Sequence, residues 1–164
     1  MLNNMEHTQL LENAFTNYLL GIQTGNPAAS PWPPLFNIFP GENNLDKNGQ
    51  RIVCYVEGGQ LGDEEPPNSG NRHFTISCEL RTPIRKLTVQ EVTDGLVDPY
   101  TIHSAVADTL QTAILNVNLP TLLEAAQANL TIFGLTNRTE FREQVHNAWI
   151  SGWRVSGLSC PSYL

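Results

Sequence analysis

Residues 73–81 constrain the fold more than any other segment. Phe74, Ile76, Cys78 and Leu80 alternate without a break with Thr75, Ser77, Glu79 and Arg81. Successive side chains of a strand point to opposite sides, so this pattern predicts one buried side and one that faces solvent or a partner. The preceding run differs. In Ile52, Cys54 and Val56 against Val53 and Tyr55, both sides are apolar, which predicts a central strand. Between the two runs lies the turn-rich stretch 58–71, so the pair reads as a β-hairpin with a long, mobile loop.

Helical spacing brackets the hairpin. Leu11, Phe15, Tyr18, Leu19 and Ile22 form one stripe over residues 5–22. Asp98-Pro99 has an N-cap residue followed by proline at the first helical position. Ile102, Val106, Leu110, Ala113, Ile114 and Val117 then trace a second stripe, and a short helical turn follows Pro120. Leu130, Ile132 and 133–135 predict a third strand and residues 148–158 a fourth, with Trp149, Trp153 and Val155 on one side. There Gly152 and Gly157 permit a bulge or a close backbone approach. The order is α-β-β-α-β-β. It implies an α+β fold of two layers, a mostly antiparallel four-strand sheet with helices packed on one face. At 164 residues, the chain reads as a single domain, 1–164.

Residues 25–50 are a connection. Five prolines there oppose helix and strand pairing. Yet Trp32, Leu35, Phe36, Ile38 and Phe39 are too apolar to leave in water. The segment either tucks its aromatics into the core or docks on a neighbour through Trp32, Phe36 and Phe39. Residues 83–98, between two prolines, read as a connection with some local structure.

Charge and motifs narrow the functions. Only 15% of residues are charged and the net charge is −7, with no Lys or Arg before Lys47. Such a chain is a poor candidate for wrapping nucleic acid, whose binding depends on phosphate neutralisation. Surfaces low in charge occur at subunit interfaces, although solubility alone also accounts for them. The start of the chain has neither the basic patch nor the apolar block of a signal peptide, and no run reaches a membrane span. Cys54, Cys78 and Cys160 have neither zinc-site spacing nor the even count of a disulfide framework, and the first two read as core thiols. His7, His73, His103 and His146 lie at no ligand spacing and read as surface or edge residues. No nucleotide, metalloprotease or nucleophile-elbow motif is present. Thus no catalytic, metal or cofactor residue is assigned.

The acidic run Asp63-Glu64-Glu65, with Arg72 at the far side of its loop, is the candidate interaction site. Three readings stand: a solvated loop, a loop that meets a partner or lines a lumen, and oxygen ligands for a hard cation. The last would make a small metal-binding enzyme with a histidine such as His73. A further alternative is an adaptor or ligand-binding module using the aromatics at 32–39. Trp149 and Trp153, about 13 Å apart on one side of a strand at ~3.3 Å per residue, read as core in preference to a stacking platform.

The segments HFTISCELRTPI, IHSAVADTLQTAIL, NLTIFGL and AWISGWRVSGLSC, in this order, resemble phage tail terminators and related neck or tail-completion proteins. The likeness spans about residues 5–160 and departs from the pattern at 25–50 and 83–98. It implies a structural virion protein, made in the host cytoplasm, that forms a homo-oligomeric ring, often a hexamer. Its partners would be further copies of itself, the tail tube protein and the head connector or neck proteins. DNA would only pass through the lumen, no membrane would be involved, and the 58–71 loop would face the lumen or the tube.

Overall fold

The structure, a computed structural model, describes residues 4–24, 37–127 and 129–162. Helix α1 (Asn4–Thr24) leads to β1 (Asn37–Pro40), β2 (Arg51–Val56) and β3 (Arg72–Pro83). Then come α2 (Val89–Thr93), α3 (Pro99–Asn116), α4 (Leu119–Ala125), β4 (Leu130–Val145) and β5 (Ala148–Pro161). The class is α+β, and the five strands lie in the order β1-β2-β3-β5-β4.

The predicted four-strand sheet is corrected to five strands, and the sheet is mixed. The added strand, β1, falls inside the proline-rich connection and pairs parallel with β2, Ile38 opposite Ile52. Its prolines do not forbid it because β1 is a four-residue edge strand ending at Pro40, where one missing N–H costs no ladder bond. The remaining pairs are antiparallel. Residues 130–145, expected as a strand followed by a weakly alternating stretch, form one strand with two register shifts, between Ile132 and Gly134 and between Leu135 and Asn137.

One core lies between the helices and one side of this sheet. From the strands come Ile52, Cys54, Val56, Phe74, Ile76, Cys78, Leu80, Trp153 and Val155, side by side in the ladder register. Leu11, Phe15 and Leu19 of α1 and Val106, Leu110 and Ile114 of α3 meet them. Both helical stripes are therefore where their spacing puts them. Cys54 and Cys78 sit opposite each other, buried and unlinked. Asp98 occupies the N-cap position of α3, but its side chain makes no cap bond; only its carbonyl accepts, from the Ile102 N–H at 3.2 Å.

The other side of β3 differs from expectation. Thr75 is exposed and shares a 2.9 Å hydrogen bond with Ser156, but Ser77 and Glu79 are buried. Tyr55 on β2 donates to Glu79 Oε1 at 3.0 Å, and Arg81 pairs with Glu79 Oε2 at 3.0 Å. A buried carboxylate is tolerable when its oxygens are bonded and a cation is close. Polarity at these positions thus reflects a packed network more than a wet surface. Among the described residues no helix is long and apolar enough to cross a membrane.

Candidate assembly and binding surfaces

Backbone pairing resumes inside the acidic loop. Gly62 N–H donates to His73 O at 2.8 Å, His73 N–H to Asp63 O at 3.3 Å, and Glu65 N–H to Asn71 O at 2.9 Å. The Arg72 guanidinium clamps the same strand pair, donating from Nε to Gly62 O at 2.9 Å, while the Glu65 carboxylate reaches the His73 imidazole. The long loop expected between the two strands spans 57–71: it opens with a 3-10 turn at Glu57–Gly59, pairs again where Glu64 bridges Arg72, and turns over 66–70. Asp63 and Glu65 are exposed and Glu64 is half-buried in a bridge to Arg72. Among the described residues, no three His, Cys, Asp or Glu side chains gather as a metal site.

Two carboxylates hold the base of this hairpin. Glu12 Oε2 on α1 accepts the Val56 N–H at 2.9 Å, and Glu42 Oε2 accepts the Gly58 N–H at 3.1 Å. Glu12 is buried, and loss of water raises its pKa to about 7 against the opposing effect of the Val56 bond. Sequence reasoning passed over this residue, although its place beside Leu11 and three residues before Phe15 puts it at the edge of the apolar stripe. His7 was also expected at the surface and is buried, bonded through Nε2 to Ser159 Oγ at 3.0 Å. Burial, then the charge of Arg72, lowers its pKa to about 4.

His103 is the second corrected histidine. It is buried where α3 crosses β3 and β5, with Nδ1 2.6 Å from Thr82 Oγ1 and Nε2 2.9 Å from Ser151 Oγ. Burial first, and Arg142 second, lower its pKa to about 4, so the ring is neutral at pH 7. A hydroxyl, not a carboxylate, faces each nitrogen, so neither bond is the carboxylate–imidazole pair of a Ser-His-Asp triad. The ring borders a cleft of about 290 Å³, with Tyr100 packed edge-on against Trp149 at 5.1 Å and Arg142 on the rim. Trp153 is core, as its spacing predicts, whereas Trp149 is a half-buried wall of this cleft. His73 and His146 are exposed, as predicted.

Of the aromatic docking residues, Trp32 and Phe36 lie outside the described residues. Phe39 is half-buried on β1, opposite Val53, with the Lys47 ammonium 5.4 Å from its ring centre.

The surface that sequence reasoning missed is the connection 84–98. It contains α2 and is braced internally. The Arg85 guanidinium makes two 3.0 Å bonds to the Glu91 carboxylate. Thr88 Oγ1 accepts the Glu91 N–H at 3.1 Å while Glu91 Oε1 accepts the Thr88 N–H at 3.0 Å, a reciprocal cap. Arg85 holds the Glu91 carboxyl down to about 2. Val89, Val92, Leu96 and Val97 on this braced segment are all exposed. A signal was present: four aliphatic residues within nine positions, in a segment with a Thr-x-x-Glu cap.

Compared with known proteins, the chain matches no protein-family model and no curated protein sequence.

Proposed function

We propose that this is a structural virion protein of a tailed phage, similar to tail terminators, which closes into a ring at the end of the tail tube or in the head–tail neck. The observation that carries the reading is the braced segment 84–98 with its aliphatic side chains in water. Several exposed aliphatic side chains gathered on one segment are a mark of contact sites for other proteins. The acidic hairpin is a second support. Its ladder holds Asp63 and Glu65 outward on a defined ridge, suited to a lumen that repels passing DNA. The helix–hairpin–helix–hairpin course of the chain, with helices on one side of the sheet, also agrees with the family it resembles. The partners are then further copies of itself, the tail tube protein and the head connector or neck proteins. The reading assigns no catalytic residue and no cofactor. Native mass spectrometry at tens of micromolar tests it. A closed ring, six copies in the first instance, is the expected result; a monomer at every concentration, with or without tail tube protein, overturns it.

A second reading, a small ligand-binding module, draws on the cleft beside His103. Aromatic walls with the carboxylates of Asp108 and Glu143 beside them suit a planar, positively charged small molecule. Titration with benzamidine, followed through Trp149 fluorescence, tests it. Saturable quenching in the parent that is lost in Glu143→Gln supports this reading, and no change removes it.

A further inference from the structure

We propose that the braced segment 84–98 of one copy seats in the groove between α1 and α4 of a second copy, so that subunits join head to tail. The inference rests on the ring reading and specifies its subunit contact.

Val89 is 86% exposed, Val92 62%, Leu96 47% and Val97 56%. The segment that carries them is tied by hydrogen bonds, which separates it from an apolar tail that collapses where it can. Besides the Arg85–Glu91 pair and the Thr88 cap, Leu96 N–H returns to Glu91 O at 3.0 Å, and Ile84 N–H anchors the foot of the segment to Asn147 O at 2.9 Å. A knob held in shape before contact loses less conformational entropy on binding than a flexible one.

A matching hole exists elsewhere on the same chain. Tyr18, Gly21 and Ile22 of α1 and Thr121, Glu124 and Ala125 of α4 line a mainly apolar groove of about 370 Å³. Gly21 keeps it open, since a Cβ added there would meet nothing within 4 Å. Knob and hole lie at opposite ends of α3. The segment runs directly into Pro99 at the helix start. The groove adjoins the far end, where Tyr18 OH donates to Ala113 O at 2.7 Å and Asn116 leads within three residues to α4. Eighteen helical residues span about 27 Å at ~1.5 Å per residue, so one copy's knob does not reach its own hole. Different surfaces meeting in this way form a heterologous contact, the kind that closes a ring by rotation.

Charge sets the orientation of this pairing. Lys86, exposed at the foot of the knob, is positive, and Glu124, exposed on the rim of the groove, is negative, so the foot is the part that meets the rim, with the exposed acids Asp94 and Asp98, later in the segment, turned from it. A second copy therefore offers what the knob lacks, an apolar seat with an acid at its edge.

Two variants test the contact. Val92→Asp spoils the knob at an exposed position, and Gly21→Trp fills the hole from a position with open space. Each alone is expected to run as a monomer in native mass spectrometry, with the circular dichroism and melting temperature of the parent. Mixed in equal amounts, they are expected to form a 1:1 heterodimer and stop there. The intact knob of Gly21→Trp fits the intact hole of Val92→Asp, and no second good contact remains. Should Gly21→Trp fail to fold, Lys86→Glu replaces it. That change should weaken assembly at least tenfold, with recovery when Glu124→Lys is added to the same chain. Rings that persist in both variants overturn this contact and leave the ring reading standing. A parent that forms open chains, abolished by the variants and rescued as the heterodimer, keeps the contact and overturns the ring. A parent that stays monomeric overturns both.

Discussion

Gly157 on β5 faces Gly134 on one side and the Phe74 ring on the other. A Cβ added there would come within 2.2 Å of the Gly134 carbonyl oxygen and 2.7 Å of the Phe74 ring. One of these neighbours is backbone in the adjoining strand and the other is locked in the core, so neither yields cheaply. Gly157→Ala is therefore expected to lose roughly 1–3 kcal/mol, the usual range for an overpacked core, measured by urea denaturation. Unchanged stability would mean that β4 and β5 are not apposed as described. This close approach was legible in the sequence, because a glycine within a strand of large residues has few other uses. The buried titratable residues were not. His7, Glu12 and His103 are polar residues flanking apolar stripes, and only the partners Ser159, Val56, Thr82 and Ser151 make their burial tolerable. Those partners lie 21 to 152 positions away, beyond any local pattern.

Among the elements, β3 sorts its substitutions by side. Ile76 is fully buried and Thr75 exposed. Ile76→Asp is expected to abolish folding, since an unpaired buried carboxylate costs several kcal/mol, while Thr75→Asp should leave circular dichroism and melting unchanged. The reverse outcome would invert the sides. Ser77, on the same side of β3 as Thr75, is buried in the middle of the sheet and is no surface probe. The alternation identified which side holds the core but not what covers the other, since Tyr55 and Arg81 are polar and pattern alone cannot show them bonded to Glu79. The brace on α2 makes a prediction of its own. Thr88→Ala removes a cap side chain, a loss of about 1 kcal/mol, so amide exchange over 89–96 should quicken about fivefold with global stability unchanged. Equal exchange would mean that the cap does not hold the segment. Both β1 and α2 escaped sequence reasoning for the same reason: each is shorter than the window over which periodicity can be recognised.

For the molecule as a whole, the buried groups set opposing pH dependences. His7 and His103 have folded pKa values of about 4, below the ordinary 6.5. The unfolded chain binds their protons first, so their contribution is full above 6.5 and is lost as pH falls towards 4. Glu12 works the other way. Its folded pKa is about 7 against an ordinary 4.5, so the folded state holds the proton longer and stability is lost as pH rises from 4.5 to 7. Between 4.5 and 6.5 two histidines oppose one carboxyl, leaving a net rise with pH of about 1.4 kcal/mol per unit at most. Above 6.5 only Glu12 still titrates, so stability should peak near pH 6.5 and decline slightly to 7. Glu12→Gln keeps an oxygen to accept the Val56 N–H and removes the titration. Its stability should rise about twice as steeply from 4.5 to 6.5 and show no decline above, measured by urea denaturation across the pH series. A variant profile parallel to the parent's would show that Glu12 is ionised in the folded protein at pH 6. In that case the hold on the end of β2 would be a charged one, and the acidic hairpin would carry one more negative charge at its base.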